Sequence, residues 1–147
     1  MQSFLNIVIR AADTDIAEIL LYHVHRFKAT LWLDIGTNNK NNRRYICISE
    51  IARNLGSEMC AALPSFHAFT GCDYTSAFVR KGKVRPFSLL ERNPQAQHAF
   101  ASMATAEQLS EEILSTGEEF TCSMYVNKLR YQIIEKTFRP KTNAKKN

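Results

Sequence analysis

Three carboxylates stand where this chain could do chemistry on a phosphodiester. Asp13 and Asp15 flank Thr14, and Asp73 lies in the turn Gly71-Cys72-Asp73-Tyr74. Carboxylates converging from turns can hold a hard divalent cation, Mg²⁺ or Mn²⁺, which polarises a phosphoryl oxygen and supplies hydroxide from bound water. Shortly after the second turn comes the basic stretch Arg80-Lys81-Gly82-Lys83-Val84-Arg85-Pro86. Its cations around Gly82 can hold backbone phosphates without reading bases. A metal-holding acid beside a phosphate-holding loop is what hydrolysis of a nucleic-acid phosphodiester requires. The same acids also read as local structure: Asp13 or Thr14 as a helix N-cap, Asp15 as a complement to the helix dipole, and Asp73 as a turn residue. Asp34 follows a strand with no ligand shell beside it. Glu111, Glu112, Glu118 and Glu119 read as solvated charges near helix starts.

Positioning those acids requires strands that end at turns. Phe4–Ile9 is a short apolar run with β-branched residues and reads as a buried strand. Ile16, Ile19, Leu20, His23, Val24 and Phe27 then recur at helical spacing, so a helix begins at the acidic turn. Thr30–Ile35 and Tyr45–Ile48 read as further strands, separated by the polar loop 36–44. Ser49 fits the cap of a helix that Gly56 stops, and another helix starts near Ser57, with Pro64 expected to break or restart it. The last third reads as helical, with capping boxes at Thr105–Gln108 and Thr116–Glu119. Phe120, Met124, Val126, Leu129, Ile133 and Ile134 supply its apolar face. Strands alternating with helices in this order predict an α/β fold with a small, mostly parallel sheet followed by C-terminal helices. In open sheets of this kind ligands sit beyond the strands' carboxyl ends, which is where Asp13 and Asp15 fall.

The 147 residues suffice for one core, and the 45% hydrophobic and 10% aromatic content exclude wholesale disorder. A formal charge of +5 and a pI near 9.1 lean towards an anionic partner, although part of the excess lies in the basic tail 139–147, read as disordered. No apolar run is long enough to span a bilayer. The N-terminus lacks the basic segment and cleavage site of a signal peptide, so an intracellular and nuclear location is expected. Cys47, Cys60, Cys72 and Cys122 form no C-x-x-C pair and read as reduced and buried. His23 and His25 point to different sides of a helix and suit a common metal poorly.

On these residues the chain resembles the flap-endonuclease and XPG-like nuclease family, a branch of the PIN-like fold. The likeness runs from about Asn6 to Leu90. In that family a buried strand delivers a D-x-D pair to the metal site, as Ile9 through Asp15 would here. A helix ending in a glycine-x-aspartate-tyrosine turn supplies a further metal ligand, a role that carries to Asp73. Beyond it the family has a helix–hairpin–helix loop on the duplex backbone. Here Gly82 and Arg85 fall in register, while Arg80 replaces the first glycine and Lys83 the proline. The wording F-H-A-F-T-G-C-D-Y-T-S-A-F also resembles a group of transposon-associated animal proteins.

The resemblance implies residues 1–92 as the C-terminal half of a PIN/XPG-like nuclease domain, and 93–138 as a helical extension. It implies Asp13, Asp15 and Asp73 as catalytic metal ligands, and Arg80, Lys81, Gly82, Lys83 and Arg85 as the nucleic-acid grip. The partner would be branched or single-strand/duplex junction DNA. The family's first metal-binding aspartates, its catalytic lysine and arginine and its glutamate pair have no counterpart here. The expectation is therefore a fragment or decayed copy of a Mg²⁺-dependent, structure-specific nuclease, inactive or weak alone. The alternatives are a non-catalytic module that binds nucleic acid or protein, and a small α/β domain whose acids only cap helices.

Overall fold

The alternation of side chains along three strands decides which way the sheet faces. The structure, a computed structural model, describes residues 5–13, 15–36 and 43–125. Strands β1 (Asn6–Arg10), β2 (Thr30–Ile35) and β3 (Arg44–Cys47) lie in the order β1-β2-β3. By register, Ile7, Ile9, Leu31, Leu33, Ile35 and Ile46 share one face, and all of them belong to the hydrophobic core or pack against it. Asn6, Val8, Arg10, Trp32, Asp34 and Tyr45 share the opposite face. Helix α1 (Asp15–His23) and the 3₁₀ turn Val24–Arg26 carry the chain back, so β1 and β2 pair in parallel. β3 pairs antiparallel with β2. The link between them is too short for the crossover that parallel strands need. The expected mostly parallel sheet is thus corrected to a mixed one.

Helix α2 (Ile48–Leu55) follows β3 directly and stops at Gly56, whose φ of +83° is cheap only for glycine. Ser49 does not cap α2. It sits inside the first turn, and its hydroxyl accepts the Leu31 N–H at 2.9 Å, tying the helix to the sheet.

Helix α3 (Ser57–Thr70) is the spine of the molecule. It runs unbroken through Pro64, contrary to the sequence expectation. Proline in a helix interior costs about 3 kcal/mol. Here Cys60, Ala62, Leu63 and Phe66 are buried on both sides of it, and that packing outweighs the lost hydrogen bond.

Helices α4 (Val84–Glu91), α5 (Pro94–Met103) and α6 (Glu111–Tyr125) close the core against α3. The Phe66 ring meets Phe87, Phe100 and Phe120 edge-on, with centroids 5.9–6.3 Å apart. Asn93 caps α5 by accepting the Ala96 N–H at 3.0 Å, and Pro94 occupies its first turn. Neither capping box forms. Thr105 follows α5, and Thr116 lies within α6, where its hydroxyl donates to the Glu112 carbonyl. The Ser110 hydroxyl instead accepts the Ile113 N–H. Val126, Leu129, Ile133, Ile134 and the basic tail lie outside the described residues.

Candidate functional site

The acidic turn after β1 is built by its own side chain. The Asp13 carboxylate accepts the Asp15 N–H at 3.0 Å, so Asp13 serves the start of α1 and is otherwise exposed. Asp15 lies in the first turn, and Glu18 three residues on shares its helix face. Both meet His67 of α3. Glu18 Oε2 lies 2.6 Å from His67 Nδ1, and Asp15 Oδ1 lies 3.4 Å from Nε2. That Nε2 is buried and makes no hydrogen bond. Lys83 Nζ completes the group, 2.5 Å from Nδ1 and 3.4 Å from the His67 carbonyl.

One ring nitrogen either donates or accepts. When protonated, Nδ1 donates to Glu18; when bare, it accepts from Lys83 and leaves the Nε2 proton facing Asp15. Burial pushes the Glu18 carboxyl above its ordinary value; His67 and Lys83 oppose this in part, and Asp15 adds to it.

The turn that carries Asp73 is pinned to the end of α3. Gly71 has a φ of +104°, and a Cβ there would lie 2.5 Å from Ala77 Cα, so the position excludes any side chain. Cys72 and Thr75 form a two-sided bridge, and the Thr75 hydroxyl donates to the Ala68 carbonyl at 2.7 Å. Asp73 and Tyr74 occupy the exposed tip, Tyr74 being 96% exposed. The Cys72 thiol is held below its usual value, first by its hydrogen bond with Thr75, although the nearby Asp15 charge pushes the other way. The start of α1 and the end of α3 are therefore neighbours. Even so, among the described residues no group of three His, Cys, Asp or Glu side chains is arranged to hold a metal ion: Asp15 and Glu18 meet different nitrogens of the His67 ring. Asp13, Asp15 and Asp73, the ligand set that the resemblance implies, do not form such a group.

The cationic stretch is a loop leading into α4, and no helix lies between Thr70 and Val84, so it is not clamped between two helices. Arg80 nevertheless takes a left-handed conformation, with φ +57°, which glycine adopts more cheaply. Lys81 sits over the Tyr125 ring at 4.5 Å, and Lys83 is held by His67. Gly82 has open space around it, while Arg80 and Arg85 are exposed. Pro86 is buried in the first turn of α4.

Asp34 is the chief surprise. It lies within β2 rather than after it, is 2% exposed, and is gripped by Arg43, whose Nε is 2.9 Å from both carboxylate oxygens. That grip holds its carboxyl below the usual range. Two other expectations also shift. Of the cysteines only Cys60 is buried, Cys122 being exposed, and all four are free. Glu18 and His67 were not singled out in the sequence. The Asp15–Glu18 spacing was a signal for Glu18, but His67 had none, because its partners come from remote segments. Comparison with family models, curated proteins and solved structures finds no match.

Proposed function

We propose that the chain is a nucleic-acid-binding module built on the C-terminal half of a PIN-like nuclease domain of the flap-endonuclease type. Arg80, Lys81, Lys83 and Arg85 act on backbone phosphates, and Asp13, Asp15 and Asp73 form the acidic edge beside them. The observation that carries this reading is Lys83. Its ammonium lies against His67, which also meets Asp15 and Glu18, and so sets the cationic loop beside the acidic edge. Branched or junction DNA is the proposed partner, with action in the nucleus. No helix among the described residues is long and apolar enough to cross a membrane.

A titration of labelled junction DNA at several salt concentrations tests the reading. Affinity is expected to fall linearly on a log–log plot with salt, and Arg80→Gly to reduce the slope by about one. Salt-independent binding, or a slope unchanged in Arg80→Gly, would sink it. The same variant relieves a left-handed arginine, so stability is expected to rise by about 0.5–1 kcal/mol, which separates loss of binding from loss of fold.

A second reading, residual hydrolysis supported by Mg²⁺ or Mn²⁺, is favoured by one observation: Asp15 at the start of α1 lies 3.4 Å from His67 in the last turn of α3, the helix that leads into the Asp73 turn. Cleavage that disappears in Asp13→Ala/Asp73→Ala would support it. Metal-independent behaviour of the parent would leave only the binding role.

A further inference from the structure

The end of α6 meets the cationic loop through a single ring. Phe78 and Lys81 close a tight turn, the Lys81 N–H donating to the Phe78 carbonyl at 3.1 Å. Both ends of that turn rest on Tyr125. The Phe78 ring meets it edge-on at a centroid distance of 6.3 Å, and Lys81 Nζ stands 4.5 Å from its centroid. The contact is only half closed. Tyr125 is 48% exposed, Val79 inside the turn is 75% exposed, and Val84, three residues beyond Lys81, is 85% exposed. Among the described residues nothing covers these side chains, and Tyr125 is the last of those residues.

The sequence after Tyr125 supplies a matching surface. Val126, Leu129 and Ile133 follow it at helical spacing and make one apolar stripe. Such a stripe is stable only when buried against another element. Val126 is bonded to Tyr125, so the stripe starts beside the turn and little loop closure opposes the contact. A second copy or a separate partner lacks that tether. Lys128 and Arg130 fall off the stripe by the same spacing and can stay in solvent, where salt screens their repulsion of the loop.

We propose that residues 126–134 of this chain clasp the basic loop, Val126, Leu129 and Ile133 covering Val79 and Val84. The clasp is a second anchor for a loop that Lys83 already ties to His67. It goes beyond the nucleic-acid reading and does not rest on it.

Hydrogen–deuterium exchange on the full chain, resolved by peptide, tests the clasp. Val79→Ser/Val84→Ser, at exposed positions, is expected to speed exchange across 126–134 about tenfold. Leu129→Ser/Ile133→Ser is expected to speed it across 78–84, with α3 and α5 unchanged in both variants. If the valine variant disturbs α3 or α5, the second variant decides alone. Exchange across 126–134 that the valine variant leaves unaltered overturns the proposal, because the segment is then protected by itself or not at all. Protection that grows with protein concentration also overturns it and assigns the valines to a second copy; protection that requires added junction DNA assigns them to nucleic acid. Junction-DNA affinity is read separately. Reciprocal losses of protection in a chain that binds no DNA uphold the clasp and remove only the nucleic-acid reading.

Discussion

Asp34 and Glu18 are both carboxylates in contact with cations, yet the fold drives them in opposite directions. Asp34 is almost wholly buried, but Arg43 meets it with a two-pronged hydrogen bond, and its proton affinity falls. Glu18 has His67 and Lys83 nearby, and still its proton affinity rises, because desolvation outweighs them. The difference is one of geometry. A guanidinium presents a rigid fork that matches a carboxylate and replaces its lost water. Glu18 and Lys83 compete for the single Nδ1 of His67, so His67 is not fully committed to Glu18. Burial under a dedicated partner makes a closed structural pair, whereas burial among shared partners leaves a carboxyl whose lost water is only partly replaced.

The largest blow to the acidic edge is expected from Gly71→Ala. A Cβ 2.5 Å from the Ala77 backbone, at a φ of +104°, forces the Asp73 turn to move. The cost is expected to be about 3 kcal/mol, combining backbone strain with overpacking. It would be measured as a fall in the urea midpoint at unchanged m-value; a variant as stable as the parent would mean that the turn can relax freely.

Breaking the other region comes next. Arg43→Ala strips the buried Asp34 of its partner and is expected to lower stability clearly at neutral pH. The pH signature is distinct. A folded-state affinity below the ordinary carboxyl value gives stability that is present above that value and lost as pH falls through the folded one. The parent should therefore lose stability in strong acid, below the ordinary value of 3.8, and Arg43→Ala should lose that dependence. Parallel pH curves for the two proteins would deny the pair any role in stability.

Glu18→Gln sharpens the comparison with the smallest expected effect and the opposite sign. Here the folded-state affinity is raised, so the contribution is present below the ordinary value of 4.5 and is lost as pH rises through the folded one. The glutamine variant should lack that decline in mildly acidic solution. A decline retained in the variant would assign it to another group.

Much of the left half of the chain was legible from local pattern. The boundaries of β2 at Thr30 and Ile35, the start of α1 at the acidic turn and the stop at Gly56 follow from alternation, periodicity and glycine. Places where one residue could satisfy two partners were not legible. Ser49 looked like a cap and became a strap to Leu31; Thr116 looked like a cap and lies within a helix. Ser49 gave up a local cap for a contact with a distant strand, whereas Thr116 took the bond to the carbonyl four residues back that is open to a threonine inside a helix. The candidate site divides in the same way. Asp15 and Asp73 could be named from their turns and Lys83 from its basic loop, but His67, which joins the acidic edge to that loop, could not.

The sequence by itself determined the order of elements, the glycine at which the Asp73 turn is possible, and the clustering of cations before α4. These depend on backbone sterics and on spacing within a few residues. Only the tertiary structure decided that β3 turns back antiparallel, that α3 passes through Pro64, that Asp34 is sealed by Arg43, and that Trp32 and Tyr45 lie on the sheet face opposite the core. Each of those outcomes balances desolvation against packing between segments far apart in the chain, and that balance exists only when the segments meet.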